Sequence, residues 1–134
     1  MTNKEIANTI LQQLGGNKFI VMTGAKNFIV IENGLEFSIG RNGSQANTVR
    51  IVLDWDDTYS MSFIKKGRPV NEYNILMKYA DKGLSPDEYN EIVGKAIKRA
   101  KEAAQPKTLK EYHGLFFDQL QEFFTEYTKL YTHL

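Results

Sequence analysis

The chain reads as an α+β domain: an N-terminal helix, an antiparallel β-meander of five to six strands, and two C-terminal helices packed on the sheet. Three observations predict it. Between Lys18 and Tyr79 apolar and polar residues alternate in short runs, and the connections are too short for parallel crossovers, which need about a dozen residues or more. Asn33-Gly34 lies between the apolar runs Phe28–Ile31 and Leu35–Ile39, and this dipeptide suits a type I′ turn, whose two central residues both take φ > 0. Outside that region the apolar spacing is helical.

Thr2-x-x-Glu5 forms a capping box, and Ile6, Ala7, Ile10, Leu11 and Leu14 make the apolar stripe of a first helix that Gly15-Gly16 ends. Strands are expected at Lys18–Met22, Phe28–Ile31, Leu35–Ile39, Thr48–Asp54, Tyr59–Phe63 and Tyr73–Tyr79, with a polar loop at Gly40–Asn47. The first hairpin is apolar on both faces and so needs a cover on each side or a helix above it. Ser85-Pro86-Asp87-Glu88 combines an N-cap, Pro at N1 and first-turn acid, and Tyr89, Ile92, Val93, Ala96, Ile97 and Ala100 follow at helical spacing. Pro106 breaks that helix. Thr108-x-x-Glu111 then caps a last helix carrying Leu109, Tyr112, Phe116, Leu120, Phe123, Tyr127 and Leu130, strongest from Leu115. The whole of 1–134 is expected to form one domain.

Composition narrows the function classes. Seventeen Lys and Arg against sixteen Asp and Glu leave a net charge of +1, which provides no global field for nucleic acid or an anionic membrane. The hydrophobic fraction of 42% suffices for a packed core. The absence of cysteine excludes disulfides, thiol catalysis and thiolate metal sites. No apolar run reaches the ~18 residues of a membrane span and the amino terminus lacks a signal-peptide core, so a cytoplasmic location is expected.

The one catalytic-looking motif is Asp54-Trp55-Asp56-Asp57-Thr58. An apolar strand ending in D-x-D-x-T resembles the first motif of haloacid-dehalogenase-type phosphotransferases, in which the first Asp is nucleophile and the second general acid beside Mg²⁺. That chemistry follows a parallel strand and precedes a helix, whereas Tyr59–Phe63 is another strand, so the motif is expected to be a hairpin turn. His113 and His133 are too far apart for a metal site, although Asp118 or Glu122 could join His113 on adjacent turns of a helix. No catalytic residue, metal or cofactor is expected.

Two surfaces are candidates for binding. The basic helix 95–110, with Lys95, Lys98, Arg99, Lys101 and Lys107, could follow a phosphate backbone. The competing explanation is a solvated face, with cations complementing the helix dipole. In the aromatic carboxyl segment, Phe117, Phe124 and Tyr131 widen the apolar stripe beyond what a helix lying on a sheet requires; core packing is the leading explanation, and a partner or dimer surface is the other.

Leu11-Gln-Gln-Leu-Gly-Gly-Asn-Lys-Phe-Ile-Val-Met-Thr-Gly-Ala-Lys-Asn-Phe28 and Phe117–Leu134 resemble the two ends of small uncharacterised proteins of phages and integrated mobile elements. Val49–Leu53 and Tyr59–Phe63 are similar to their middle strands more loosely. The resemblance covers roughly half the chain, implies a genomic setting with no catalytic residues, and makes the helix at about 85–105 look like an insertion relative to shorter members. Together these readings predict a non-enzymatic accessory protein acting through a protein partner or as a homodimer, with nucleic-acid binding through helix 95–110 as the alternative.

Overall fold

The computed structural model describes residues 2–131. The chain is α+β, with N-terminal helices, a five-stranded antiparallel meander and helices in its carboxyl-terminal half. The elements are α1 (Asn3–Leu14), α2 (Asn17–Thr23), β1 (Lys26–Ile31), β2 (Gly34–Ser38), β3 (Thr48–Leu53), β4 (Tyr59–Lys65), α3 (Glu72–Ala80), α4 (Pro86–Ala104), β5 (Lys107–Leu115), a 3-10 turn (Phe117–Gln119) and α5 (Leu120–Thr128). The strands pair in the order β1-β2-β3-β4-β5. Two compact units result: the sheet with α1, α2 and α5, and the α3–α4 hairpin of Lys66–Pro106, which the chain inserts between the neighbouring strands β4 and β5.

The sheet unit has one continuous core. Ile6, Ala7, Ile10 and Leu14 of α1 cover the face formed by Leu35 and Phe37 of β2, Val49 and Ile51 of β3, and Tyr59, Met61 and Phe63 of β4. Aromatic rings knit it together: Phe19 meets Phe37 and Phe124 edge-on at 5.5 and 5.1 Å, and Phe63 lies 4.4 Å from Tyr127. Thr2 caps α1 by accepting from the Glu5 amide at 3.1 Å, as its sequence predicts. The Gly40–Asn47 loop is held by Asn42, whose Nδ2 donates to the carbonyls of Gly40 and Ala46 at 2.8 and 2.9 Å. The Gly43 amide docks it on the end of α5 by donating to the Thr128 carbonyl at 2.7 Å.

Three segments differ from expectation, each for a local reason. Lys18–Met22 belongs to α2. Four consecutive apolar residues, Phe19–Met22, suit either period, and here the glycines decide: Gly15 and Gly16, with φ of 126° and 61°, turn the chain into a second helix, and Gly24 at φ 71° ends it. Tyr73–Tyr79 belongs to α3. Its alternation also contains the i,i+4 pairs Tyr73/Met77 and Ile75/Tyr79, and Asn71 caps the helix by accepting from the Asn74 amide at 3.2 Å.

The third is Lys107–Leu115, which is β5 and not the start of the last helix. Its register with β4 slips twice, between Tyr59/Met61 and between Phe63/Ile64. Each slip adds a residue to β5, so Leu109, Tyr112 and Leu115, which all join the core, recur every third position and imitate a helix.

The β1–β2 reversal is also displaced by one residue. Glu32-Asn33 is its centre, Asn33 alone has positive φ (55°), and Gly34 opens β2. Glycine is needed there for space: a Cβ at Gly34 would collide with the Ile51 carbonyl oxygen on β3.

Candidate functional site

An antiparallel meander gathers alternate turns at one end of the sheet. The β1–β2 reversal, the β3–β4 turn and the carboxyl end of β5 therefore lie together, as the pairs Leu53↔Tyr59 and Tyr59↔Leu115 fix. This end carries three of the exposed aromatic residues of the sheet unit. Trp55, at the tip of the β3–β4 turn, is 95% exposed, and Phe116 and Phe117, just after β5, are 60% and 63% exposed.

Local chemistry holds the three rings outward. In the β3–β4 turn the Asp54 amide donates to the Thr58 carbonyl at 2.8 Å, and Asp57 adopts φ 64°. The Asp56 carboxylate accepts from the Thr58 hydroxyl at 2.7 Å and from its amide at 3.2 Å. The hydroxyl bond, then the amide, hold the Asp56 carboxyl below its ordinary value of 3.8. Trp55 is left with no neighbour to pack on. After β5, Gln119 closes the 3-10 turn. Its side-chain oxygen accepts from the Phe116 amide and its own amide donates to the Phe116 carbonyl, both at 2.9 Å. Leu115 and Leu120 are buried on either side, so the aromatic pair between them faces out.

A polar chain ties this end together. Ser60 Oγ of β4 lies 2.5 Å from Asp54 Oδ2 and 2.9 Å from His113 Nδ1 of β5, and His113 Nε2 lies 3.5 Å from Glu111. The residue types are those of a catalytic triad, but the wiring runs the other way. The Ser60 hydroxyl donates its one proton to Asp54, so that proton is not offered to His113 as it would be in a triad. The arrangement instead pins the turn to β5. Sequence reading missed it because Ser60, Asp54 and His113 become neighbours only through β4–β5 pairing.

The remaining predicted residues divide clearly. Asp54 and Asp56 lie in a hairpin turn between antiparallel strands, which lacks the strand–loop–helix frame of the phosphotransferase motif. Phe124 is fully buried among Phe19, Phe37 and Phe63, which makes it core and corrects its assignment to the contact surface. Phe117 and Tyr131 are exposed. A groove of about 550 Å³ runs along α5 between Asp118, Glu122, Glu126 and Tyr131.

The basic helix ends at Ala104, so Lys107 lies on β5 and no continuous stripe from 95 to 110 exists. On α4, Lys95 pairs with Glu91 at 3.2 Å and Lys101 with Glu72 at 2.9 Å. Lys98 and Arg99 are exposed. His113 is on a strand, so the helical ligand set with Asp118 or Glu122 does not form, and His133 lies outside the described residues. No group of three metal-ligating side chains occurs among the described residues, and no described helix is long and apolar enough to cross a membrane.

No protein-family model, curated protein or solved structure matches the chain.

Proposed function

We propose that this chain is a non-enzymatic accessory protein of a phage or mobile element that works through protein–protein contact, with the aromatic end of its sheet as the contact surface. One observation carries the reading: Trp55, Phe116 and Phe117 are exposed together at one end of a sheet whose core rings Phe19, Phe37, Phe63 and Phe124 are buried. Exposed aromatic clusters on well-packed domains usually have an occupant, and aromatic side chains dominate the binding energy of interfaces. Asp54, Asp56, Asp57 and Asp118 surround the rings, and the α5 groove adds Glu122 and Glu126. The partner segment that complements this surface is apolar with basic residues at its margin, able to place a cation over a ring and against a carboxylate.

Trp55 is the only tryptophan, so it reports on its own surface. Titrating the protein with a short Lys- and Leu-rich amphipathic peptide is expected to shift Trp55 emission to the blue. Phe116→Ala/Phe117→Ala is expected to weaken that binding at least tenfold, while Lys98→Glu/Arg99→Glu leaves it unchanged. Unchanged emission at saturating peptide, or equal binding by the aromatic variant, would overturn the proposal. Salt-sensitive retention of DNA or RNA that disappears with Lys98→Glu/Arg99→Glu would instead favour the nucleic-acid alternative.

A further inference from the structure

Glycine follows asparagine at two places in the chain, Asn33-Gly34 and Asn42-Gly43. With no Cβ on the following residue, its backbone nitrogen can close on the asparagine carboxamide, the step that deamidates a peptide. The fold treats the two sites in opposite ways.

Asn42 is locked. Its Nδ2 donates to the carbonyls of Gly40 and Ala46, and its Oδ1 accepts from the amide and the hydroxyl of Ser44. The Gly43 nitrogen, which would have to attack, is itself engaged, donating its proton to the Thr128 carbonyl at 2.7 Å. Ring closure there must disrupt the whole loop. Asn33, by contrast, stands exposed at the tip of the β1–β2 reversal, and its carboxamide has no hydrogen-bond partner among the described residues. Its backbone is tethered: the amide donates to Asn3 Oδ1 at 3.0 Å, and the carbonyl accepts from the Leu53 amide at 2.8 Å. The Gly34 nitrogen therefore reaches Asn33 Cγ when the reversal opens, a local event at the tip of an edge hairpin.

We infer that Asn33 is a self-modifying site, which becomes isoaspartate or aspartate in the folded chain while Asn42 is preserved. The Gly34 nitrogen bonds to Asn33 Cγ, the Cγ–Nδ2 bond breaks, and the displaced proton leaves with the amide as ammonia. Water then opens the cyclic imide. Attack at the main-chain carbonyl leaves Gly34 joined through Cγ, an isoaspartyl link with one more carbon in the main chain; attack at Cγ gives a normal aspartyl link. Either product adds a carboxylate at the end of the sheet that carries Asp54, Asp56 and Asp57, and takes the chain from a net charge of +1 to neutral. The isoaspartyl product does more. Its extra carbon falls beside Gly34, where even a Cβ would collide with the Ile51 carbonyl oxygen, and it turns the carbonyl that holds Leu53 into a free carboxylate. The reversal therefore loosens and gains negative charge as the protein ages, whatever partner the aromatic end takes.

Peptide mapping by mass spectrometry, after incubating the full folded chain at mildly alkaline pH, tests the inference. Deamidation at Asn33 is expected to outpace that at Asn42 by about tenfold or more in the folded chain, and the two sites should react at similar rates in urea, since only the fold distinguishes them. Isoaspartate is the expected larger product at position 33. Asn33→Gln, whose longer side chain closes a less favourable ring, should stop the reaction there, and Ser44→Ala should speed it at Asn42 by removing the hydroxyl that holds the carboxamide. The isoaspartyl form, separated by ion exchange, should unfold at lower urea than the unmodified chain, whereas Asn33→Asp, with the charge but the normal link, should stay close to it. Asn42 reacting as fast as Asn33 in the folded chain, an Asn33 unchanged over a period that converts the unfolded chain, or an isoaspartyl form as stable as the unmodified one would overturn it.

Discussion

Phe124 and Phe117 lie on one short carboxyl-terminal segment and have opposite fates. Phe124 is wholly buried, with Phe19 5.1 Å away and Phe37 and Phe63 each at 6.4 Å; Phe117 is 63% exposed, beside Phe116. The difference arises where the 3-10 turn of Phe117–Gln119 hands over to α5: from Leu120 onward helical spacing aims Leu120, Phe124 and Thr128 into the core. Residues of one type therefore divide into a stability set and a surface set, and variants should separate them.

The largest effect is expected inside. Phe124→Ala removes a ring that contacts three others and should cost about 3–5 kcal/mol of stability, read as a lowered midpoint in urea. A loss below about 1 kcal/mol would mean that the inner set is not close-packed. Gly34→Ala comes next, with an expected cost of about 1–3 kcal/mol because its Cβ would meet the Ile51 carbonyl on the neighbouring strand. Equal stability there would show that β2 and β3 can move apart. Outside, Phe116→Ala/Phe117→Ala should change stability by no more than about 0.5 kcal/mol while weakening peptide binding, the reverse of the Phe124 result.

The smallest effect concerns the turn that presents Trp55. Asp56 should titrate below 3.8 in an NMR pH series, and Thr58→Val should move it back toward that value by removing the hydroxyl bond, its leading cause. A carboxyl whose folded value is depressed contributes stability above its unfolded value, and that contribution is lost as pH falls through the folded one. The turn should therefore loosen only in acid, below the ordinary carboxylate range. An unshifted Asp56 would break the account of how Trp55 is held outward.

The legibility of the sequence followed the range of the forces involved. Capping by Thr2 and Ser85, the strands β1 to β4 and the turn at Asp54–Thr58 were all readable, because each rests on residues a few positions apart. Lys107–Leu115 was not: its threefold spacing records two slips against β4, a strand that the chain reaches again only after the α3–α4 hairpin. The basic stripe from Lys95 to Lys107 failed with it, since one part lies on a helix and the other on a strand.

Local patterning is enough to specify an α+β chain with an antiparallel meander, a core rich in aromatic residues and an acidic turn at Asp54–Thr58. These follow from hydrophobic periodicity and turn stereochemistry, which act locally. Only the folded chain puts Phe124 inside and Phe117 outside, joins Ser60 to both Asp54 and His113, and leaves β1 and β5 as the two edges of the sheet. Each depends on which distant segments pair, and strand pairing is a long-range choice that no local pattern encodes.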